Sequence, residues 1–231
     1  TDPGNEYQRR IHQIAFEHDA HFLLGGPHAE FTNAGEPLYF NSIFQLDPRR
    51  KFVARYDKIE LLAFAEYNPL SNAPFFPRPA EVPRDYSPGE KPGIFDVKGA
   101  KLGAMICFES LYPWLARDLV GAGAQVLVNV SNDAWFQRTK APYQHIEQTR
   151  LRAIELRRYL IRNAGTGISA IIDPLGRYES EPLPIFTQGV LSGTVSARDA
   201  TTPYALWGDW PLLLGALGIL IGIGARRLRL V

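Results

Sequence analysis

Sixteen consecutive residues without a charge, Trp210 to Ala225 (WPLLLGALGILIGIGA), run directly into Arg226, Arg227 and Arg229. A segment of this kind cannot lie as a loop in water. It is either a helix buried in a protein core or a helix placed in a bilayer. Its glycines make it a poor core helix, and although it is shorter than the roughly 20 residues that cross a hydrocarbon core, flanking arginines can snorkel to the interface. The spacing therefore predicts a C-terminal transmembrane helix and basic tail over residues 206–231, with residues 1–205 forming the globular part. Cations directly after a span favour the cytoplasmic side, which places the globular part on the outer face, with Trp207 and Trp210 at the interface.

The globular part is long enough for one α/β domain, and 45% hydrophobic with 21% charged residues across the chain fits an ordinary folded protein. The net charge is +1, and without the three terminal arginines it is −2, so no broad basic face exists and a nucleic-acid partner is disfavoured. One cysteine, Cys107, excludes an internal disulfide. The chain opens Thr-Asp-Pro-Gly without a Met or a hydrophobic leader, and is expected to be a piece of a longer protein.

A helix is predicted from Glu6 to Asp19, with Asn5 and Gln8 as an approximate capping box. The runs HFLLGG, LYFNSIFQL and KFVARY follow, separated by Asn33-Ala34-Gly35 and Asp47-Pro48, and read as a meander feeding one sheet. The proline-rich stretch from Asn68 to Pro92 reads as a long loop, functional or mobile. Beyond it come a hairpin (GIFDVKG, KLGAMICFE), a short helix (LYPWLARDLVGAG) and a strand buried on both faces (QVLVNVS). A helical stripe is read through Tyr143, Ile146, Ala153, Ile154 and Ile161, then strands at LIRNA, ISAIID and GVLSGTV, with a turn at Asp173 to Gly176. Strands and helices interleaved in this way indicate an α/β layered domain.

Three segments carry side chains capable of chemistry. Cys107 ends an apolar strand just before a helix, where a side chain is exposed at a sheet edge and the helix dipole favours a thiolate; a small buried apolar residue is the alternative. A thiolate suits acyl transfer in two steps. Lys58, with Glu66 eight residues on, can hold an oxyanion if desolvated, or both can be solvated surface charges. The run Asn129 to Phe136 (NVSNDAWF) either lines an apolar pocket or forms a turn anchored by two aromatics. His145 and Arg150 read as surface residues, and the histidine spacing offers no metal site.

Taken together, these segments resemble the nitrilase superfamily, and within it the apolipoprotein N-acyltransferases. The resemblance is carried by KIELLAFAE, ICFE, SNDAWF, Gln144-His145 with RLRAIE, TGISAIIDPLG and TPYALWGDWP, and it runs over nearly the whole chain. It implies an α/β fold, a nitrilase-like four-layer αββα sandwich, followed by one transmembrane helix. It also implies Cys107 as nucleophile, Lys58 as stabilising lysine, Glu66 as a further catalytic residue and, with Glu109, a supporting carboxylate around the site, with Phe108 in support. Trp135, Phe136, Phe75 and Phe76 are candidates for contact with the acyl chain.

The implied reaction moves an acyl chain from a phospholipid, through a cysteine thioester, to the N-terminal amine of a diacylglyceryl apolipoprotein. It needs no cofactor and no metal. Its implied place is the outer face of a bacterial inner membrane, with the C-terminal tail cytoplasmic. The family's glutamate base lies upstream of the first helix, so the chain is expected to lack it and to be crippled without it. Ala63 and Ala65 stand where proline and glycine are usual, and Phe108 where some relatives have tyrosine. Two other readings compete: a soluble-type carbon-nitrogen hydrolase (amidase or nitrilase), and a catalytically inert membrane-anchored module.

Overall fold

The computed structural model describes residues 6–70 and 85–228, and the side chains of residues 224–228 are not among those described. Helix α1 (Glu6–Glu17) presents Ile11, Ile14 and the buried Ala15 on one face. Three antiparallel strands follow, β1 (Phe22–Phe31), β2 (Pro37–Leu46) and β3 (Phe52–Asp57), in the order β1-β2-β3. Gly35 at φ 80° closes the first hairpin, and Asp47 with Arg50 closes the second. The meander is thus a sheet of its own.

A second sheet has the order β4-β5-β6-β7-β8, built from β4 (Gly93–Val97), β5 (Ala100–Ile106), β6 (Val126–Ser131), β7 (Tyr159–Ala164) and β8 (Ala170–Ile172). Strands β5, β6 and β7 are parallel, and β4 and β8 add antiparallel edges. The parallel crossovers require helices, which the chain supplies as α2 (Pro113–Gly121) and α3 (Ala141–Leu156).

Two cores result. Ile43 and Tyr56 of the first sheet meet Phe95, Ala104 and Ile106 of the second, closing the space between sheets. Met105, Leu127 and Leu160 on the other face pack under Leu115, Leu119, Ile146 and Leu156 of α2 and α3. Each such fully buried aliphatic side chain contributes roughly 1.5–3 kcal/mol of transfer free energy. On the outer side of the first sheet, His12 of α1 sits edge-on to Phe52, and the order of layers is helix, sheet, sheet, helices.

Two expectations need correction. The long helix ends at Leu156, because Arg157 turns left-handed (φ 51°), so Ile161 belongs to β7; Tyr143 is exposed, and the buried face carries His145, Thr149 and Arg152 instead. Residues 189–195 form no strand, since Leu183 and Tyr178 bridge to Ser169 and Ile172 and occupy that edge of β8. The C-terminal run is helical, as α5 (Trp210–Leu228), preceded by the short α4 (Pro203–Trp207). Among the described residues, however, no helix is long and apolar enough to cross a membrane. Its 16 uncharged residues extend only about 24 Å at 1.5 Å each, against a core of about 30 Å.

Candidate active site

Cys107 follows directly on β5, at the carboxyl end of the parallel strands, where α/β sheets offer a crevice. It has φ 53°, a left-handed conformation that costs a side chain roughly 1–2 kcal/mol. Such strain marks positions that the surroundings over-determine. The expected helix after it is a single 3₁₀ turn, Cys107–Leu111, and α2 begins only at Pro113, so the dipole acting on the thiol is that of a short turn.

Lys58 comes next after β3 and is only 1% exposed. Its Nζ donates to Glu66 Oε2 at 2.5 Å, and that carboxylate also accepts from the Leu62 N–H (2.8 Å) and from Asn41 Nδ2 (2.8 Å). The surface-charge alternative therefore fails for Lys58. The end of the proline-rich stretch is strapped over this pair: Tyr86 N–H donates to Glu66 O, Ser87 N–H to Tyr39 O, and Gly89 N–H to Lys58 O. A Cβ on Gly89 would fall 2.1 Å from Asp57 O, so the strap lies too close for any other residue.

Lys58, Glu66, Cys107 and Trp135 line one cavity of about 770 Å³, with Asn41, Ser131, Asn132 and Asn163 among its polar walls. Both sheets contribute to it. Trp135 is exposed at the rim. Phe136 instead stands edge-on to His145 (6.0 Å), and Phe108 packs between His145 and Tyr112. Phe75 and Phe76 lie outside the described residues.

Glu109 does not line the cavity. It is fully buried, and its two oxygens accept from Tyr56 Oη (2.7 Å), Ile59 N (2.7 Å), Glu60 N (3.1 Å) and Ile106 N (2.6 Å). Burial pushes its carboxyl up from the ordinary value despite these donors. Burial, with Glu109 beside it, also pushes the Tyr56 hydroxyl far up, so Tyr56 remains a donor. The carboxylate ties the residue before Cys107 to the two residues after Lys58.

Sequence reasoning placed His145 on the surface, but it is 4% exposed and belongs to a buried cluster with Arg162 and Asp133. Burial opposes the charge of Asp133, yet the hydrogen bond from His145, the Arg162 guanidinium and the Ser131 hydroxyl hold its carboxyl down at about 2. The one available signal was an arginine amid the apolar residues of LIRNA.

The carbon-nitrogen hydrolase family model matches residues 3–203. The apolipoprotein N-acyltransferase of Geobacter metallireducens is 38% identical over 226 residues, 96% of this chain and 43% of that protein. The apolipoprotein N-acyltransferase of Pseudomonas aeruginosa is 34% identical over 237 residues, 99% and 44% respectively. The chain thus spans less than half the length of these relatives. Among solved structures, a Saccharomyces cerevisiae member of the nitrilase superfamily aligns with TM-score 0.59 and 19% identity over 80% of this chain and 63% of that one. An amidase from Nesterenkonia aligns with TM-score 0.55 and 21% identity over 77% and 62%. The two-sheet sandwich is therefore nitrilase-like, and the family match across nearly all of it establishes that the chain belongs to the carbon-nitrogen hydrolase family.

Proposed function

We propose that this chain is the catalytic part of a lipoprotein N-acyltransferase, with Cys107 carrying the acyl group. The observation that supports it most is the lone cysteine sharing one cavity with the buried Lys58–Glu66 pair. The thiolate sulfur attacks an ester carbonyl of a phospholipid; the S–C bond forms, the C–O bond breaks, and the lysophospholipid alcohol leaves with a proton. The free amine of a diacylglyceryl-cysteine N-terminus then attacks the thioester, an amide forms, and the thiol is restored. Lys58, dry and already oriented by Glu66, offers its ammonium to the oxyanion of both steps. Trp135 at the rim is the contact for the acyl chain.

Glu109 is saturated with donors and is left a structural part. Glu66 is the acidic side chain of the cavity wall among the described residues, and it is committed to Lys58. The acceptor of the thiol proton is, on the family resemblance, a glutamate upstream of α1. Helix α5, apolar on every described face, would attach the domain to the outer face of a bacterial inner membrane, with local thinning of the bilayer and the basic tail on the cytoplasmic side.

The amidase among the structural neighbours favours a second reading, hydrolysis of a small amide with water as acceptor. Intact mass separates the two. A protein carrying this chain and the upstream region is incubated with phospholipid in detergent. One acyl mass on Cys107, removed by hydroxylamine and absent in Cys107→Ser, is expected; a folded protein with an alkylatable thiol and no adduct would overturn the acyltransferase reading.

A further inference from the structure

Behind Cys107 lies a set of polar side chains that the reaction above does not use, none of them in the cavity wall. The Cys107 carbonyl oxygen accepts from Asn129 Nδ2 at 3.1 Å, from Ser110 Oγ at 3.2 Å and from His145 Nε2 at 3.2 Å. Deeper still, Arg162 donates through Nη1 to Asn129 Oδ1, and its Nη2 lies 2.8 Å from Asp133 Oδ2 and 3.1 Å from His145 Nδ1. The side chains of Arg162 and Asp133 are completely sealed from solvent.

A buried ion pair is a poor stabiliser, since an apolar replacement of similar volume is often as stable. Its location gives it another use. Both Asn129 and His145 stand between Arg162 and the nucleophile's own carbonyl. The His145 ring is held between the ion pair and the nucleophile: Nδ1 lies 3.1 Å from Arg162 Nη2 and 3.2 Å from Asp133 Oδ1, and Nε2 faces Cys107 O. The carbonyl so held belongs to a residue in the left-handed region. Because the peptide is trans, fixing that oxygen also turns the Phe108 N–H the opposite way, away from the cluster.

The geometry points to Arg162, His145 and Asn129 as positioning residues for the nucleophile: they clamp the Cys107 carbonyl and thereby aim both Sγ and the Phe108 amide for attack on a carbonyl carbon. The inference rests on reading Cys107 as an acyl carrier, but not on which acyl donor it uses.

The test compares two reactions of the single cysteine in the 231-residue chain. Acylation by p-nitrophenyl acetate forms an S–C bond, breaks the ester C–O bond and expels nitrophenolate, so it needs an oxyanion held in place. Alkylation by iodoacetamide needs only an accessible thiolate. His145→Leu is expected to lower the acylation rate at least tenfold relative to alkylation, and His145→Gln, which can again donate to the carbonyl, to restore the ratio to within about threefold. Ser110→Ala removes one donor with little change in volume and should lower the ratio about threefold even if the His145 variant does not fold. An unchanged ratio in a folded variant, or an equal fall in both rates, reduces the cluster to packing and overturns the inference. A ratio that falls as expected while phospholipid gives no thioester would retain the clamp and sink the lipid donor.

Discussion

Four donors converge on the sealed carboxylate of Glu109, which has nothing left to give a substrate. Its value lies in holding two loops together, so Glu109→Gln, which turns one acceptor into a donor facing other donors, should destabilise the chain by about 1–3 kcal/mol in urea titrations. The same substitution should lower acylation of Cys107 while leaving the thiol open to alkylation. Asp133 has the opposite character. Its carboxyl titrates at about 2 in the folded chain against an ordinary 3.8, so its stabilisation is complete above pH 4 and is lost as pH falls through about 2. Unfolding free energies measured across that window should fall in the parent and stay flatter in Asp133→Asn. At Cys107 the backbone itself is the liability: Cys107→Gly should raise the melting temperature relative to Cys107→Ser, since only glycine is at ease at φ 53°.

Among the elements, strands bounded by turn residues were plain in the sequence because alternation and turn chemistry agree, as in the hairpin closed by Gly35 and the turn closed by Gly176. Helix α3 was harder. Its inward face holds His145, Thr149 and Arg152, so a pattern that counts only apolar residues rotates the stripe and draws Ile161 into the helix. For the same reason the nucleophile and Lys58 could be found from local pattern or family likeness, whereas the His145–Arg162–Asp133 cluster joins a helix, a strand and a turn that only the fold brings together. The strap at residues 86–89 ties the end of that loop to Glu66, Tyr39 and Lys58. Gly89→Ala should push on the carbonyl of Asp57, move Lys58 and reduce acylation more than tenfold, with iodoacetamide labelling of Cys107 unaffected as the control.

On the scale of the whole molecule, α5 stands apart, with every described side chain from Pro211 to Ile223 exposed. Deleting residues 210–231 should leave the melting temperature within about 2 °C while abolishing co-sedimentation with phospholipid vesicles. The remaining body is two sheets, and the site is split between them: Lys58 and Glu66 come after the last strand of the first, and Cys107 follows β5 of the second. Among the described residues, Glu109 bridges that seam by accepting from Tyr56, and Gln45 does so by donating to Asp96 O. A slight parting of the sheets would leave each one hydrogen-bonded and spectroscopically intact while the nucleophile and its lysine lose their common geometry. Inactivation should then precede melting, so that acylation fails at urea concentrations where the circular dichroism of both sheets is still native.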